Sequence, residues 1–238
     1  MPKCDQLCSF LEVSESDIVA LTETWLHAGI EDSEIFPDAH AYNIYRHDRI
    51  NKIGGGVLLA IKRTLPSIAI ASNSDIEIVW ATCKTVSSNL LIGVCYRPPD
   101  CGISFIHNLR SSISAASDLC VPSNIYLLGD FNFPQIDWVN LSSSNTAATE
   151  FINITLDFNL FQVSNQNIRG SNILHLALAA APDTIGPVMY LDGFSDHKML
   201  QFEILVTSLF GGKTTERIRD YSKARYGEIN TDLTKFFN

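Results

Sequence analysis

Apolar residues occur in short runs in the first part of the chain, and turn residues separate the runs. The segments Asp17–Leu21, Tyr42–Arg46 and Gly55–Ile61 are of this kind, which is typical of β-strands. A charged turn, Arg46–Gly54, separates the second from the third. We therefore predict that these two strands form a hairpin.

The rest of the chain continues with strands and a few helices. Further strands are predicted at Ile76–Thr85, Leu90–Tyr96, Asn124–Leu128, Leu160–Val163, Ile173–Ala179 and Met199–Val206. Helical spacing of apolar residues occurs in residues 4–15, in Phe105–Ala116 and in Thr149–Asn159. Many strands with few helices between them indicate a mixed α/β fold, in which two sheets pack face to face with helices outside.

Composition and charge narrow the classes of protein. The 238 residues are 46% hydrophobic and 18% charged, and the formal net charge is −9. The first two values are typical of a globular domain with a substantial core. The acidic balance argues against a general electrostatic binder of nucleic acid, but not against an enzyme that grips phosphates locally.

Cysteine usage and hydropathy point to an intracellular protein. None of the six cysteines forms a C-x-x-C pair, so we expect free thiols in a reducing compartment. No apolar signal core and no membrane-length apolar run is present. We expect a nuclear or cytoplasmic protein that is not secreted and does not associate with membranes, and no stable protein partner.

Polar residues of the types used in catalysis and metal binding stand at the ends of several predicted strands. Strand ends meet at sheet edges. These residues are Glu23, Tyr96, Arg97, Asp130, Asn132, Asp196 and His197. Glu23 and Asp196 are hard oxygen ligands suited to Mg²⁺, with Mn²⁺ as an alternative. Asp130 is a candidate base for an attacking water, which Asn132 would orient.

The remaining members of this group are candidates for stabilising charge on a phosphoryl group, namely Tyr96, Arg97 and His197. The whole set predicts metal-assisted hydrolysis of a phosphodiester. Each residue also has an ordinary alternative. Glu23 can be a solvated loop acid, Asp130 a cap of its own turn, and Asp196 a helix cap beside a surface histidine.

Five short motifs occur in a fixed order along the chain. They are Thr22-Glu23-Thr24-Trp25-Leu26, Gly54-Gly55-Gly56-Val57, Tyr96-Arg97-Pro98-Pro99, Gly129-Asp130-Phe131-Asn132 and Ser195-Asp196-His197. Together they resemble the endonuclease/exonuclease/phosphatase superfamily, and most closely the endonuclease domain of non-LTR (LINE-type) retrotransposon polyproteins. The resemblance implies a DNase I-like, four-layered α/β sandwich of two mixed sheets flanked by helices. It also implies Mg²⁺-dependent nicking of double-stranded DNA.

The resemblance assigns roles and domain bounds. It makes Glu23 and Asp196 the metal ligands, places Tyr96, His197, Arg97 and Arg169 on phosphate or DNA, and makes Asp130 and Asn132 the water-activating pair. Residues 1–206 would form the endonuclease domain, truncated at its N-terminus so that the first strand is missing. Residues 207–238 would form a basic, helical spacer of the kind that leads to a reverse transcriptase, which this chain lacks.

Two positions depart from the pattern of this family. His175 stands where relatives have an Asp that stabilises the catalytic imidazolium, and Ile168 stands where they have a Thr before Arg169. A His cannot supply that negative charge, and loss of the acid partner of a catalytic His can cost about 10⁴-fold in rate, by analogy with serine proteases. We therefore expect impaired nicking.

Two alternatives remain open at this point. One is a lipid or inositol phosphodiesterase of the same superfamily, which would use the same cleft chemistry on another substrate. The other is a catalytically dead remnant of a retrotransposon, or a module that binds a partner without cutting.

Overall fold

The computed structural model describes most of the first 206 residues. The described residues are 4–14, 16–36, 42–50, 52, 54–71, 75–119, 124–164, 175–193 and 198–206. The helices are α1 (Cys4–Ser14), α2 (Asp32–Ile35), α3 (Ile103–Leu119) and α4 (Thr146–Asp157). The strands are β1 (Ile18–Thr22), β2 (Tyr42–His47), β3 (Val57–Lys62), β4 (Ser67–Ile70), β5 (Glu77–Lys84), β6 (Asn89–Tyr96), β7 (Asn124–Asp130), β8 (Phe161–Gln162), β9 (His175–Ala179), β10 (Met189–Leu191) and β11 (Met199–Gln201).

The strands form two facing sheets and one further pair. One sheet has six strands in the order β4-β5-β6-β7-β9-β8, and the other has three in the order β1-β3-β2. Strands β10 and β11 pair with each other. The β6–β7 pairing is parallel, and the other strand pairs of the six-stranded sheet are antiparallel. The sheet is therefore mixed, as predicted.

Strand β3 shows how the layers are stacked. Val57, Leu59 and Ile61 pack against the six-stranded sheet, whereas Leu58 and Ala60 pack against the helices α1 and α2. Alternate side chains of a strand point to opposite faces of the sheet. A strand that is apolar at every position is thus buried on both faces.

The outer face of the six-stranded sheet carries the largest core. Leu91 and Leu127 of that sheet pack with Leu109 of α3 and with Phe151 and Ile154 of α4, and all five side chains are buried. The order of layers is therefore α3 and α4, six-stranded sheet, three-stranded sheet, α1 and α2. The predicted DNase I-like α/β sandwich is confirmed.

The predicted elements among the described residues are present, with shifted bounds and several additions. The hairpin of β2 and β3 is confirmed by their antiparallel pairing. The short edge strand β4, the strand β10 and the helix α2 were not predicted. No helix among the described residues is long and apolar enough to cross a membrane.

One expected boundary was wrong. We placed a turn at Gly129-Asp130, but β7 continues through both residues and pairs with β6 as far as Asp130. Gly129 has φ +143°, and a Cβ at this position would lie 1.8 Å from the Cys95 carbonyl oxygen. The glycine allows the two backbones to approach closely and so carries Asp130 to the end of the strand.

Candidate active site

Four polar side chains form a row across one end of the six-stranded sheet. The strand register pairs Glu77 with Tyr96, Tyr96 with Asp130, and Asp130 with His175. The four residues continue alternations whose other members, such as Val94 and Ala179, pack between the two sheets. The row therefore faces the three-stranded sheet, and hydrogen-bonded strands fix its spacing.

Glu23 approaches this row from the three-stranded sheet. It follows β1 directly, and its Oε1 accepts a hydrogen bond from the Tyr96 hydroxyl at 2.5 Å. Its backbone lies in the left-handed region, with φ +53°, and so does that of Trp25, with φ +56°. Non-glycine residues rarely adopt this conformation, and such strain concentrates at functional sites.

Tyr96 is held as a neutral phenol. Burial raises its pKa, and the hydrogen bond to Glu23 and the charges of Glu23 and Asp130 raise it further, against an opposing effect of Arg49. The hydroxyl therefore stays a hydrogen-bond donor throughout the neutral pH range.

Arg49 and Glu77 support Tyr96 from the side away from Asp130. The Arg49 Nε donates to Glu77 Oε1 at 2.5 Å, and Glu77 Oε2 accepts from the Gly56 N–H at 2.6 Å. The Arg49 guanidinium carbon lies 5.5 Å from the centre of the Tyr96 ring. Glu77 was not predicted as a site residue. The register of β5 against β6 is the signal that identifies it.

The side chains of Arg49 and Thr24 explain the glycine motif before β3. A Cβ on Gly55 would lie within 2.4 Å of Arg49 guanidinium atoms, and a Cβ on Gly56 would lie 2.7 Å from Thr24 Oγ1. Both glycines have a positive φ. They provide a close approach for side chains that surround the site rather than a phosphate-binding loop.

Asp130 is buried and divides its two carboxylate oxygens between two neighbours. Its Oδ1 accepts from the backbone N–H of Asn132 at 3.1 Å. Its Oδ2 lies 3.6 Å from His175 Nε2. Asp130 thus caps its own turn, which was the ordinary alternative, and also presents one oxygen at the end of the sheet. His175 lies beside that oxygen.

Arg97 has a different position from the one we predicted. Its guanidinium is buried and donates to the carbonyls of Cys101 at 2.6 Å and Asn132 at 3.2 Å. It also stacks over Phe133, with its guanidinium carbon 4.1 Å from the ring centre. Since Arg97 follows Tyr96, alternation turns it to the α3 face of the sheet. It holds loops together rather than being free to contact a phosphate.

Asn132 also faces away from the row. Its backbone is left-handed, with φ +49°, and its side-chain amide donates to the Arg97 carbonyl at 2.7 Å. It lines a separate cavity of about 650 Å³. Asp130 and Asn132 therefore do not share one cavity, and the phosphate-orienting role of Asn132 stays a prediction.

The remaining predicted site residues lie outside the described residues. They are Ile168, Arg169, Asp196 and His197. Their roles stay predictions, and so does the assignment of residues 207–238 as a spacer.

The donor set available among the described residues suits a hard cation with few protein ligands. Glu23, Asp130 and His175 line one cavity of about 1520 Å³. No group of three or more His, Cys, Asp or Glu side chains in the described part of the chain is placed to enclose an ion. Mg²⁺ usually takes one or two carboxylates and keeps water for its other ligands, so these residues fit it.

Two basic side chains of the three-stranded sheet are already paired. Arg46 contacts Asp32 at 3.0 Å and Asp48 at 3.2 Å, and Lys62 contacts Asp17 at 3.0 Å. Such pairs reduce the positive charge that these residues present to a polyanion.

Comparison with proteins of known structure agrees with this geometry. The endonuclease domain of TRAS1, a telomere-specific non-LTR retrotransposon, superposes with a TM-score of 0.65 at 13% identity, covering 85% of this chain and 92% of that one. An AP endonuclease from Archaeoglobus fulgidus gives a TM-score of 0.63 at 13% identity, with 85% and 94% covered. A 3′-5′ exonuclease from Neisseria meningitidis gives 0.63 at 16% identity, also with 85% and 94% covered.

In sequence, residues 90–201 match the endonuclease-reverse transcriptase family. The chain has the endonuclease/exonuclease/phosphatase fold. The predicted resemblance to that superfamily and to the retrotransposon endonucleases is confirmed. No curated protein matches the sequence. The family match includes Tyr96, Asp130 and His175, whereas Glu23 lies before it.

Proposed function

We propose that this protein is a retrotransposon-type endonuclease that nicks double-stranded DNA with the help of Mg²⁺, and that His175 weakens its activity. The observation that carries the proposal is the contact of Glu23 with Tyr96 beside Asp130, which unites polar groups from both sheets at one cavity. Nucleases of this superfamily in general use divalent metal ions.

The chemistry assigned to each side chain follows from its environment. Glu23 would hold the metal, and a bound Mg²⁺ would offset negative charge on the phosphate. The outward Oδ2 of Asp130 would accept a proton from the attacking water. Water oxygen then bonds to phosphorus and the bond to the 3′ oxygen breaks, which leaves a 3′-hydroxyl once that oxygen is protonated. Tyr96 donates its one O–H to Glu23 and would lie beside the phosphate.

His175 interferes with this arrangement in either protonation state. When protonated, it forms an ion pair with Asp130 and competes for the oxygen that would take the proton from water. When neutral, it adds no negative charge that would stabilise a neighbouring imidazolium. Both effects lower the rate without requiring any change in the fold.

The test is nicking of supercoiled plasmid in Mg²⁺ by the full chain. We expect slow nicking that EDTA abolishes and that Asp130→Ala reduces by about 10²-fold to 10⁴-fold, the usual contribution of a general base. Asp118→Ala is the matched control, because Asp118 is an exposed carboxylate on α3. Nicking that survives in Asp130→Ala would contradict the proposal.

Two further experiments distinguish the nuclease from a lipid phosphodiesterase and from a non-catalytic remnant. His175→Asp should nick faster than wild type, and His175→Asn, which removes the competing ion pair but adds no negative charge, should gain less than His175→Asp. A vesicle containing phosphatidylinositol 4,5-bisphosphate should release no inositol phosphate. Lipid hydrolysis without nicking would favour the lipid phosphodiesterase. A folded chain with no activity on either substrate, even with His175→Asp, would favour a non-catalytic remnant.

A further inference from the structure

Trp25 is a large aromatic side chain that the fold leaves exposed beside the candidate active site. The residue is 53% exposed, whereas Trp is a largely buried residue type on average. It stands two residues after Glu23 and lines the same cavity as Glu23, Asp130 and His175. An exposed Trp at such a place needs a reason, because large aromatic surfaces contribute strongly to binding.

The backbone of Trp25 is fixed by hydrogen bonds that extend the β1–β3 ladder. The N–H of Thr24 donates to the Gly56 carbonyl at 3.3 Å, and the N–H of Trp25 donates to the Gly55 carbonyl at 2.9 Å. Trp25 also has φ +56°, a conformation that costs free energy in a non-glycine residue and persists only where the surroundings hold it. The root of the side chain is therefore held in one place, which lowers the entropy cost of binding to it.

One face of the Trp25 indole is turned toward Gly54. A Cβ at Gly54 would lie 3.6 Å from the indole Cε2, and 3.7 and 3.8 Å from Nε1 and Cζ2, the two outer atoms bonded to it. A point in the plane of the ring and outside it would be nearer to one of those two atoms than to Cε2. Gly54 therefore lies over the face of the ring, and the opposite face accounts for the exposed half of the residue.

The position of the indole does not depend on the outer edge of the three-stranded sheet. Strand β3 is the middle strand of that sheet and β1 lies at its edge. The residues Gly54–Gly56 directly precede β3, so the indole over Gly54 lies on the β3 side of β1. A strand added along the other side of β1 would leave this contact in place.

Stacking suits the charges of this part of the chain. Arg46 and Arg49, at the end of β2 and just after it, are engaged with the carboxylates of Asp32 and Glu77, and the formal net charge of the chain is −9. Both features weaken the attraction to phosphates. An aromatic ring stacks on a nucleobase without any charge, and it accepts every base because every base has a π-face.

We propose that the open face of Trp25 stacks on an unstacked nucleobase of the DNA substrate, beside the phosphate on which Glu23 and Asp130 would act. The inference rests on the proposed nuclease function and adds a residue that binds the substrate without taking part in bond breaking. A base inside a duplex is already stacked on both sides, so Trp25 favours places where a base is unpaired. The resulting specificity is for local DNA structure and not for sequence.

Two DNA duplexes of equal length test the proposal. Each has one extra nucleotide in the middle of one strand, which is an unpaired adenosine in the first duplex and an abasic tetrahydrofuran in the second. Binding to the full chain is measured by fluorescence anisotropy in Ca²⁺, and a denaturing gel afterwards shows that the DNA is intact. We expect wild type to bind the adenosine duplex about fivefold or more tightly than the abasic duplex, the contribution of one stacked base.

Substitutions assign this preference to the ring. Trp25→Ala should reduce the preference to less than about twofold, whereas Trp25→Phe should keep most of it. A variant that is only less stable loses affinity for both duplexes alike, so the ratio of the two affinities isolates the contact with the base. In wild type the ratio should also stay constant as salt is raised, because stacking on a base releases no counterions.

Phe161→Ala is the matched control. Phe161 is an aromatic residue of similar exposure, 54%, but it lies on β8. Its strand partner Ala179 is at the opposite end of β9 from His175. Loss of this ring should therefore leave the preference for the adenosine duplex unchanged.

Tryptophan fluorescence reports the same contact directly. Trp80 is buried and Trp138 is partly buried, so Trp25 is the tryptophan that DNA can reach most easily. The adenosine duplex should quench the emission of wild type. This quenching should be absent from both Trp25→Phe and Trp25→Ala, although only Trp25→Ala loses the binding preference.

The outcomes separate this proposal from the nuclease function on which it rests. A wild type that binds and nicks DNA but has no preference for the adenosine duplex would overturn the role of Trp25 alone, and so would an equal preference in wild type and Trp25→Ala. A chain that binds neither duplex would overturn both proposals. A shift of Trp25 emission to shorter wavelength with phosphatidylcholine vesicles, without any preference between the duplexes, would make a membrane the partner of the ring instead.

Discussion

The two sides of the candidate site are built in different ways. On the six-stranded side, Tyr96, Asp130 and His175 stand on three neighbouring strands, and the ladder hydrogen bonds of β6, β7 and β9 set their spacing. On the three-stranded side, Glu23 stands beyond the end of an edge strand, on a strained backbone, and contacts Tyr96. One half of the site is thus part of the sheet, and the other half is joined to it by hydrogen bonds across the core.

The two halves of the site should therefore differ in rigidity. The six-stranded sheet fixes groups that must keep their mutual geometry, whereas the three-stranded sheet borders the cavity beside Glu23. Regions with fewer packed neighbours open more readily than a continuous core. Substitutions in the two halves should therefore change the free energy of unfolding by different amounts.

The largest effect is expected from Gly129→Ala on the six-stranded side. The new Cβ would lie 1.8 Å from the Cys95 carbonyl oxygen, at a φ of +143° that disfavours any side chain. The β6–β7 ladder would have to separate, and we expect a loss of more than about 4 kcal/mol in the free energy of unfolding, or no folding at all. Urea denaturation followed by circular dichroism measures it.

The matched control for that variant is Gly102→Ala. A Cβ at Gly102 meets no atom within 4 Å, so this substitution should change stability by less than about 0.5 kcal/mol. A Gly129→Ala protein as stable as Gly102→Ala would show that β7 does not run against β6 as described.

A second prediction compares one leucine from each half. Leu127 and Leu58 are both fully buried, but Leu127 belongs to the large core under α3 and α4, whereas Leu58 belongs to the small core under α1. The cost of a cavity depends on how far its surroundings can collapse. We expect about 4 kcal/mol for Leu127→Ala and about 2 to 3 kcal/mol for Leu58→Ala.

Urea denaturation of the two variants side by side checks this order. Val139→Ala serves as the reference, because Val139 is 92% exposed and should change stability little. A larger loss for Leu58→Ala than for Leu127→Ala would contradict the view that the three-stranded side relaxes more easily.

A third prediction tests whether Arg97 stabilises the fold or binds DNA. Arg97→Met should cost about 2 to 3 kcal/mol, because it removes charge-assisted hydrogen bonds to the Cys101 and Asn132 carbonyls. The salt dependence of DNA binding should stay unchanged. A lost phosphate contact would instead lower the slope of log K against log salt by about 0.9.

Arg110→Met is the control for loss of a cation. Arg110 pairs with Asp157 on the surface between α3 and α4, and exposed pairs contribute little. If Arg97→Met kept full stability and reduced the salt slope, Arg97 would be a phosphate contact, as the sequence predicts.

Much of the fold could be predicted because its strands are apolar runs with clear turn signals. The hairpin of β2 and β3 and the helix α3 are examples. The edge strand β4 was missed because it is only Ser67–Ile70 and half exposed, so no long apolar pattern marks it. The end of β7 was misplaced because Gly129 reads as a turn residue and its close contact with Cys95 is visible only in three dimensions.

The site could be predicted only where a strand end pointed to it. Glu23, Tyr96 and Asp130 follow from that rule. Arg97 does not, because adjacent residues at a strand end face opposite sides of the sheet, and the sequence does not show which side holds the cavity. Glu77 precedes the apolar part of β5 and gains its place from strand register, which sequence pattern leaves undetermined.

The smallest expected effect concerns the hydrogen bond of Tyr96 to Glu23 between the two halves, and it appears only at high pH. Burial and Glu23 raise the pKa of Tyr96 above its usual value of 10.0. The folded state therefore keeps the proton when the unfolded state has released it. This stabilisation is complete below pH 10 and is lost as the pH rises through the folded pKa, by up to about 1.4 kcal/mol per pH unit.

Tyr96→Phe should reduce the slope of stability against pH above 10, measured by urea denaturation. Glu23→Gln keeps an acceptor but removes the charge, so its slope should lie between those of wild type and Tyr96→Phe. Parallel loss of stability in wild type and Tyr96→Phe would mean that the contact between the halves is not formed in solution.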